Sequence, residues 1–350
     1  MNERLIIRAA SAALLLFGCS SKRDLGNVPD GGRDLGSAGG SGGSSAGGSA
    51  GGGEAGSPGG GGAGGAGGAG GPIASCDLTK PFGAPTVVPN INSSSDDAGA
   101  SLADDLTLYL CSNRPGGAGD YDLYVATRPS VTDAFATPQP LTGINTSVAE
   151  LWPRVTSDEL TMFYYQHTSS AGGEIFLTSR SSVAAAFAPG VPLAQVNLSD
   201  SDQSDLSIWR DGETLYFDSN RAGSLGGFDI YSSTRRADGS YGTAQAVSEL
   251  NTTGQDSNPV VTQDGLTIYW GSDRNGAAAR HIWTATRAST ADPFSNLAVV
   301  PELNSSYVDY PTWISSDGCH IYITTTRPGG PGAQDIWEAM RPPITNGATQ

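Results

Sequence analysis

One unit of about 53 residues occurs five times between residues 82 and 343, and the fifth copy is completed from the front of the stretch. An Asp opens a turn at Asp104, Asp158, Asp211, Asp264 and Asp317, at spacings of 54, 53, 53 and 53. Five residues after each stands an aromatic: Tyr109, Phe163, Tyr216, Tyr269 and Tyr322. An apolar-Asn pair precedes each turn, at Ile91-Asn92, Ile144-Asn145, Val196-Asn197, Leu250-Asn251 and Leu303-Asn304. A period in this range, filled with short alternating segments, predicts a β-propeller in which each repeat supplies one blade.

Each unit divides into four short strands. The first precedes the turn Asp and the second follows it, as in Thr214-Leu-Tyr-Phe217 and Leu266-Thr-Ile-Tyr-Trp270. Asp-Gly stands between them at 211–212, 264–265 and 317–318, and Gly tolerates the positive φ of a tight hairpin. A Gly-rich loop leads to the third strand, as in Tyr121-Asp-Leu-Tyr-Val125. The fourth is marked by an aromatic followed six residues later by an aliphatic: Phe135 to Leu141, Phe187 to Leu193, Tyr241 to Val247, Phe294 to Val300. After Arg341 this segment is missing, and its counterpart is Phe82 to Val88. The expectation is an all-β, five-bladed propeller of four-stranded antiparallel blades. Residues 82–88 complete the last blade, 310–341, and close the ring, which removes open sheet edges.

The strings Leu108-Tyr-Leu-Cys-Ser-Asn-Arg-Pro-Gly-Gly-Ala-Gly-Asp-Tyr-Asp-Leu-Tyr124 and Leu215-Tyr-Phe-Asp-Ser-Asn-Arg-Ala-Gly-Ser-Leu-Gly-Gly-Phe-Asp-Ile-Tyr231 resemble the WD40-like repeats of TolB-type propellers. The resemblance covers residues 82–343 and implies a binding or scaffolding role more than a reaction. Copy two departs from it, with Gln166-His167-Thr168 for Ser-Asn-Arg and Glu174 for Asp, and copy four has His281 where the Asp belongs.

The front of the chain reads as an address and a tether. Residues 1–18 have Arg4 and Arg8 followed by an apolar run, the pattern of a signal peptide and too short to span a bilayer. Leu16-Phe17-Gly18-Cys19 resembles a bacterial lipobox, which implies palmitate-type acylation at Cys19 and, with Ser20-Ser21 following, an outer-membrane lipoprotein. Acyl chains contribute about 0.8 kcal/mol per buried CH₂. Residues 19–75 are dominated by Gly, Ala and Ser, a flexible coil whose root-mean-square span is roughly 35–40 Å. Residues 76–343 form the propeller and 344–350 a polar tail.

The formal charge is −16, or about −17 without the leader, which argues against nucleic acid and against adsorption to anionic lipid, leaving the lipid anchor as the membrane contact. With Cys19 acylated, three cysteines remain. Cys111 falls inside a strand, whereas Cys76 precedes the closing strand and Cys319 follows the turn of the same blade, so a Cys76–Cys319 disulfide is expected.

Acids cluster in the inter-blade segments: Asp96, Asp97, Glu150, Asp200, Asp202, Asp205, Asp256 and Asp309. Converging from several blades, such carboxylates could hold Ca²⁺ or attract a basic partner; equally, they could simply solvate loops. Glu150, Asp205 and Asp309 could also act as the acid, base or nucleophile of a carbohydrate-active hydrolase. Acids that follow the repeat, however, are what blade construction alone would give. Arg114, Arg221, Arg274 and Arg327 are expected to pair with Asp122, Asp229 and Asp335 and fix the loops. His167, His281 and His320 lie in three different repeats, so no metal or nucleophile–base pair is expected from them. The six tryptophans default to core packing, with one or two near the tunnel mouth able to stack on a sugar. Two functional readings follow. The favoured one is a monomeric binding platform for an envelope protein or extracellular ligand, needing no cofactor; the other is the hydrolase.

Overall fold

A computed structural model describes residues 76–169 and 172–344. The leader, Cys19, the Gly-rich tether and the tail beyond residue 344 lie outside the described residues. Twenty strands form five four-stranded antiparallel sheets. A two-residue strand, β1 (Thr86–Val87), comes first in the chain. Blade one contains β2 (Asp97–Leu102), β3 (Thr107–Ser112), β4 (Asp122–Thr127) and β5 (Gln139–Pro140). Blade two contains β6 (Glu150–Val155), β7 (Thr161–Ser169), β8 (Gly172–Ser179) and β9 (Val191–Pro192). Blade three contains β10 (Gln203–Trp209), β11 (Thr214–Ser219), β12 (Asp229–Thr234) and β13 (Gln245–Ala246). Blade four contains β14 (Asp256–Val261), β15 (Thr267–Ser272), β16 (His281–Thr286) and β17 (Ser295–Val299). Blade five is built from β18 (Asp309–Ile314), β19 (His320–Thr325) and β20 (Asp335–Met340), and β1 is its outer strand.

The innermost strands β2, β6, β10, β14 and β18 each pack against the next, and β18 returns to β2. The ring is closed. Its joint is made by the front segment, with Thr86 opposite Glu338 and Val87 opposite Trp337. The paired strand is shorter than the expected 82–88, but the backbone stays in touch on both sides of it: Gly83 N–H donates to Met340 C=O (2.7 Å) and Val88 N–H to Ile336 C=O (3.2 Å). The Arg341 guanidinium lies 4.0 Å from the Phe82 ring centroid, repeating the Arg128–Phe135, Arg180–Phe187 and Arg287–Phe294 stacks at 4.4 Å. Phe82 therefore occupies the position in blade five that its own repeat lacks. Cys76 and Cys319 are joined by a disulfide across the same joint. Cys111 is a buried free thiol.

The apolar-Asn pairs explain how one blade is held to the next. Ile91, Ile144, Val196, Leu250 and Leu303 are buried between blades. The Asn that follows reaches back to strand three of the preceding blade, where its Oδ1 accepts from one backbone N–H and its Nδ2 donates to the same residue's C=O. Asn145 does this to Leu123, Asn197 to Ile175, Asn251 to Ile230 and Asn304 to Ile282, at 2.6–3.0 Å. Asn92 grips Ile336 in the same way at 2.8 Å, 244 residues away in sequence. A buried backbone group left unpaired costs about 1–3 kcal/mol, so these ten hydrogen bonds act as the rivets of the ring.

Every innermost strand carries a register shift two to four residues after its first position. The residue two after that first position has positive φ in four blades: Gly99 (69°), Trp152 (54°), Asp205 (37°) and Asn258 (54°). The fifth, Pro311, has its φ locked by its ring. Bulges at this point bend the strand and re-aim side chains around the axis.

Candidate functional site

Two groups of buried charge lie on the inner part of the ring. The first is a rim that follows the repeat. Asp97, Glu150, Gln203, Asp256 and Asp309 open the innermost strands, and all five are fully buried. Each carboxylate accepts from the backbone N–H and the hydroxyl of the residue four before it: Ser93 for Asp97, Thr146 for Glu150, Thr252 for Asp256 and Ser305 for Asp309, at 2.5–2.9 Å. Gln203 accepts from Leu198 N–H in their place. Arg114, Arg274 and Arg327 then reach across the hairpin to Asp97, Asp256 and Asp309, at 2.5, 2.8 and 2.6 Å.

This corrects the expected pairing. The arginines meet the first-strand acids because the antiparallel register sets Asp97 opposite Ser112, two residues before Arg114. Asp122, Asp229 and Asp335 instead accept loop N–H groups, from Ala118 and Gly119, from Leu225 and Gly226, and from Gly332. Arg221, facing Gln203, bonds Ser219 Oγ and Val196 C=O. Glu150 has Gln166 rather than an arginine, and burial raises its pKa.

Asp96 and Asp202 are also engaged, whereas Asp200 is exposed. Asp96 accepts from Tyr121 OH at 3.1 Å. Asp202 accepts from Gly173 N–H and from Tyr165, and burial raises its pKa. Among the described residues, no three His, Cys, Asp or Glu side chains gather as a metal-ligating group. His320 Nε2 lies 2.9 Å from Glu338 Oε2.

The second group breaks the repeat. Asp205 sits on the bulge of β10, and Asp218 on β11 lies close enough to share a proton with it. In the other blades the position of Asp218 is held by Cys111, Tyr165, Gly271 and Thr324. Asp218 accepts from Ser204 Oγ (2.6 Å) and from Asn258 N–H (3.0 Å), whereas Asp205 Oδ1 is buried without a hydrogen-bond partner. Burial, then the neighbouring Asp218, push Asp205 far above the usual carboxylate range; burial raises Asp218 to about 6. Arg280 and Arg154 supply positive charge nearby. Arg154, itself buried and pushed down to about 10 by that burial, donates to Gly99 and Pro153 C=O. Arg280 donates to Ser257 Oγ at 2.8 Å. Asp218, Arg154 and Arg280 were not singled out in the sequence; the available signal was a lone charge in columns otherwise apolar, small or uncharged.

A third feature lies away from the axis. A cavity of about 690 Å³ opens on blade four between the segment before β14 and the β15–β16 loop, with Trp283, Arg274, Asp273, Asn275 and Thr253 in its lining.

No family model and no curated protein sequence matches the chain. Solved structures do. A thermostable family-43 glycoside hydrolase aligns with a TM-score of 0.50 at 15% identity, over 75% of this chain and 94% of that one. A putative TolB from Agrobacterium tumefaciens aligns with a TM-score of 0.42 at 19% identity, over 71% of each chain. An endo-arabinase from Bacteroides thetaiotaomicron gives 0.47 at 18%, over 76% and 99%. At such identities the likeness is one of fold. The fold is the five-bladed propeller of four-stranded blades that the repeat predicted.

Proposed function

We propose that this chain is an exported lipoprotein, anchored through Cys19, whose propeller presents its loop-rich face to an envelope protein or extracellular ligand. The fate of the carboxylates carries the proposal. A glycoside hydrolase needs two carboxyls about 5–9.5 Å apart, flanking a space that admits sugar and water. Glu150 and Asp309 are consumed in holding their own loops, and Asp205 is buried against Asp218. What the molecule offers to solvent is loop surface. The β11–β12 loop and the segments before the innermost strands share one face, because antiparallel neighbours start and end there. Val148, Leu198, Leu225 and Tyr307 are exposed apolar side chains on that face. Among the described residues no helix is long and apolar enough to cross a membrane.

The test is affinity capture from envelope extract with the full chain. A specific envelope component is expected to be retained, and to be lost in a Leu225→Glu/Tyr307→Glu double variant of unchanged melting temperature. Incorporation of labelled palmitate should disappear in Cys19→Ala. Turnover of aryl-glycosides or arabinan by the wild type, abolished in Asp205→Asn, would replace this proposal with the hydrolase.

A further inference from the structure

Blade four lost the residue that closes its loop. In blades one, three and five an Asp at the start of strand three gathers the N–H groups of the preceding loop and draws it over the strand-three aromatic. Tyr124 OH and Trp337 Nε1 are thereby buried, and Tyr231 OH is bonded to Ser224 at 3.0 Å. Blade four has His281 at this position and cannot accept those bonds with a carboxylate. Its loop winds into a short 3₁₀ turn, Arg274–Gly276, with Asn275 at φ 65° and Ala277 N–H returning to Asp273 C=O at 3.1 Å. Trp283, the equivalent aromatic, lines the resulting cavity, and its indole N–H neither donates to a group of the chain nor is sealed from solvent.

The chemistry of the lining selects a ligand. The Arg274 guanidinium lies 4.8 Å from the Trp283 ring centroid and 4.9 Å from that of Trp270, so positive charge already covers one face of the indole. A second cation would be repelled there, and an anion would meet Asp273. A neutral molecule rich in hydroxyls fits both. Its ring hydrogens can rest on the indole while its hydroxyls reach the Trp283 N–H, the Thr253 hydroxyl, the Asn275 amide and the Asp273 carboxylate.

We infer that the blade-four cavity is a carbohydrate-binding subsite with Trp283 as its stacking platform. The inference rests on the platform proposal and names a ligand class for it. The test titrates maltotriose, cellotriose, xylotriose and arabinotriose into the full chain at up to ~10 mM, above the ~1 mM Kd expected of a small stacking site. At least one should bind, read by calorimetry and by a change in tryptophan fluorescence. Trp283→Phe keeps the packing, as Phe176 does in blade two, and should weaken binding at least about fivefold. Asn275→Gly keeps the backbone conformation and should also weaken it. His281→Asp, which restores the carboxylate that closes the other loops, should cover Trp283 and reduce binding further. The inference is overturned if none of the four sugars binds, or if binding is unchanged in Trp283→Phe and Asn275→Gly. Retention of the envelope component with no sugar binding would sink the subsite and leave the platform; loss of both would sink the platform as well.

Discussion

The rim acids and the axial acids are equally buried and chemically alike, yet the protein treats them in opposite ways. Asp97, Asp256 and Asp309 each receive a backbone N–H, a hydroxyl and an arginine. Asp205 receives another carboxyl. Similar burial is therefore met by different partners: donors and an arginine on the rim, a second carboxyl on the axis. The rim is repeated because every blade needs its entry loop fixed to its hairpin. The axial pair occurs once, which marks it as something other than blade construction. The pair is enclosed, and burial raises both of its carboxyls, so a pH-dependent stability is the expected consequence.

The contrast can be broken at several points. Asp256→Ala would leave Arg274 buried without its carboxylate and free the Thr252 N–H, so a loss of about 3–5 kcal/mol is expected in chemical denaturation. A loss below about 1 kcal/mol would show the rim to be dispensable. Asp218→Asn addresses the axis. The folded pKa of Asp218, about 6, exceeds the roughly 3.9 of an unfolded Asp, so the native state holds the proton more tightly. Its contribution is fully present below about pH 4 and is lost as pH rises through 6. The difference between wild type and Asp218→Asn should change by on the order of 1–3 kcal/mol across that window, in the sense that the wild type loses more. A difference independent of pH would mean that the pair does not share a proton. Glu150→Gln should cost less than about 1 kcal/mol, since blade three already places Gln203 there and no arginine depends on Glu150. A large loss would mean that the charge of Glu150 has a use beyond its own loop.

Much of this was legible in the sequence because a repeat exposes itself. Period, blade count, the closing role of Phe82 to Val88 and the apolar-Asn pairs were all visible as columns of like residues. Which acid each arginine meets was not, because Asp97 and Asp122 are both close to Arg114 in sequence and only the hairpin register distinguishes them. The axial pair was half read. Asp205 stands out in the sequence as an inter-blade acid and a candidate catalytic carboxyl, whereas Asp218 lies inside an apolar strand, where only the four unlike residues of its column set it apart. The cavity on blade four was visible only as a departure: His281 was noted as the missing Asp, but the effect of that loss on a loop five to eight residues earlier depends on hydrogen bonds that spacing does not display.

The closed ring underlies every placement of loop and site, and one comparison of stabilities tests it. Asn92 and Asn251 make the same two bonds to strand three of the preceding blade, one across the chain's closing joint and the other within a continuous run. Asn92→Ala and Asn251→Ala are each expected to lower the denaturation free energy by about 2–4 kcal/mol, and by similar amounts. A full loss for Asn251→Ala with none for Asn92→Ala would contradict the closure.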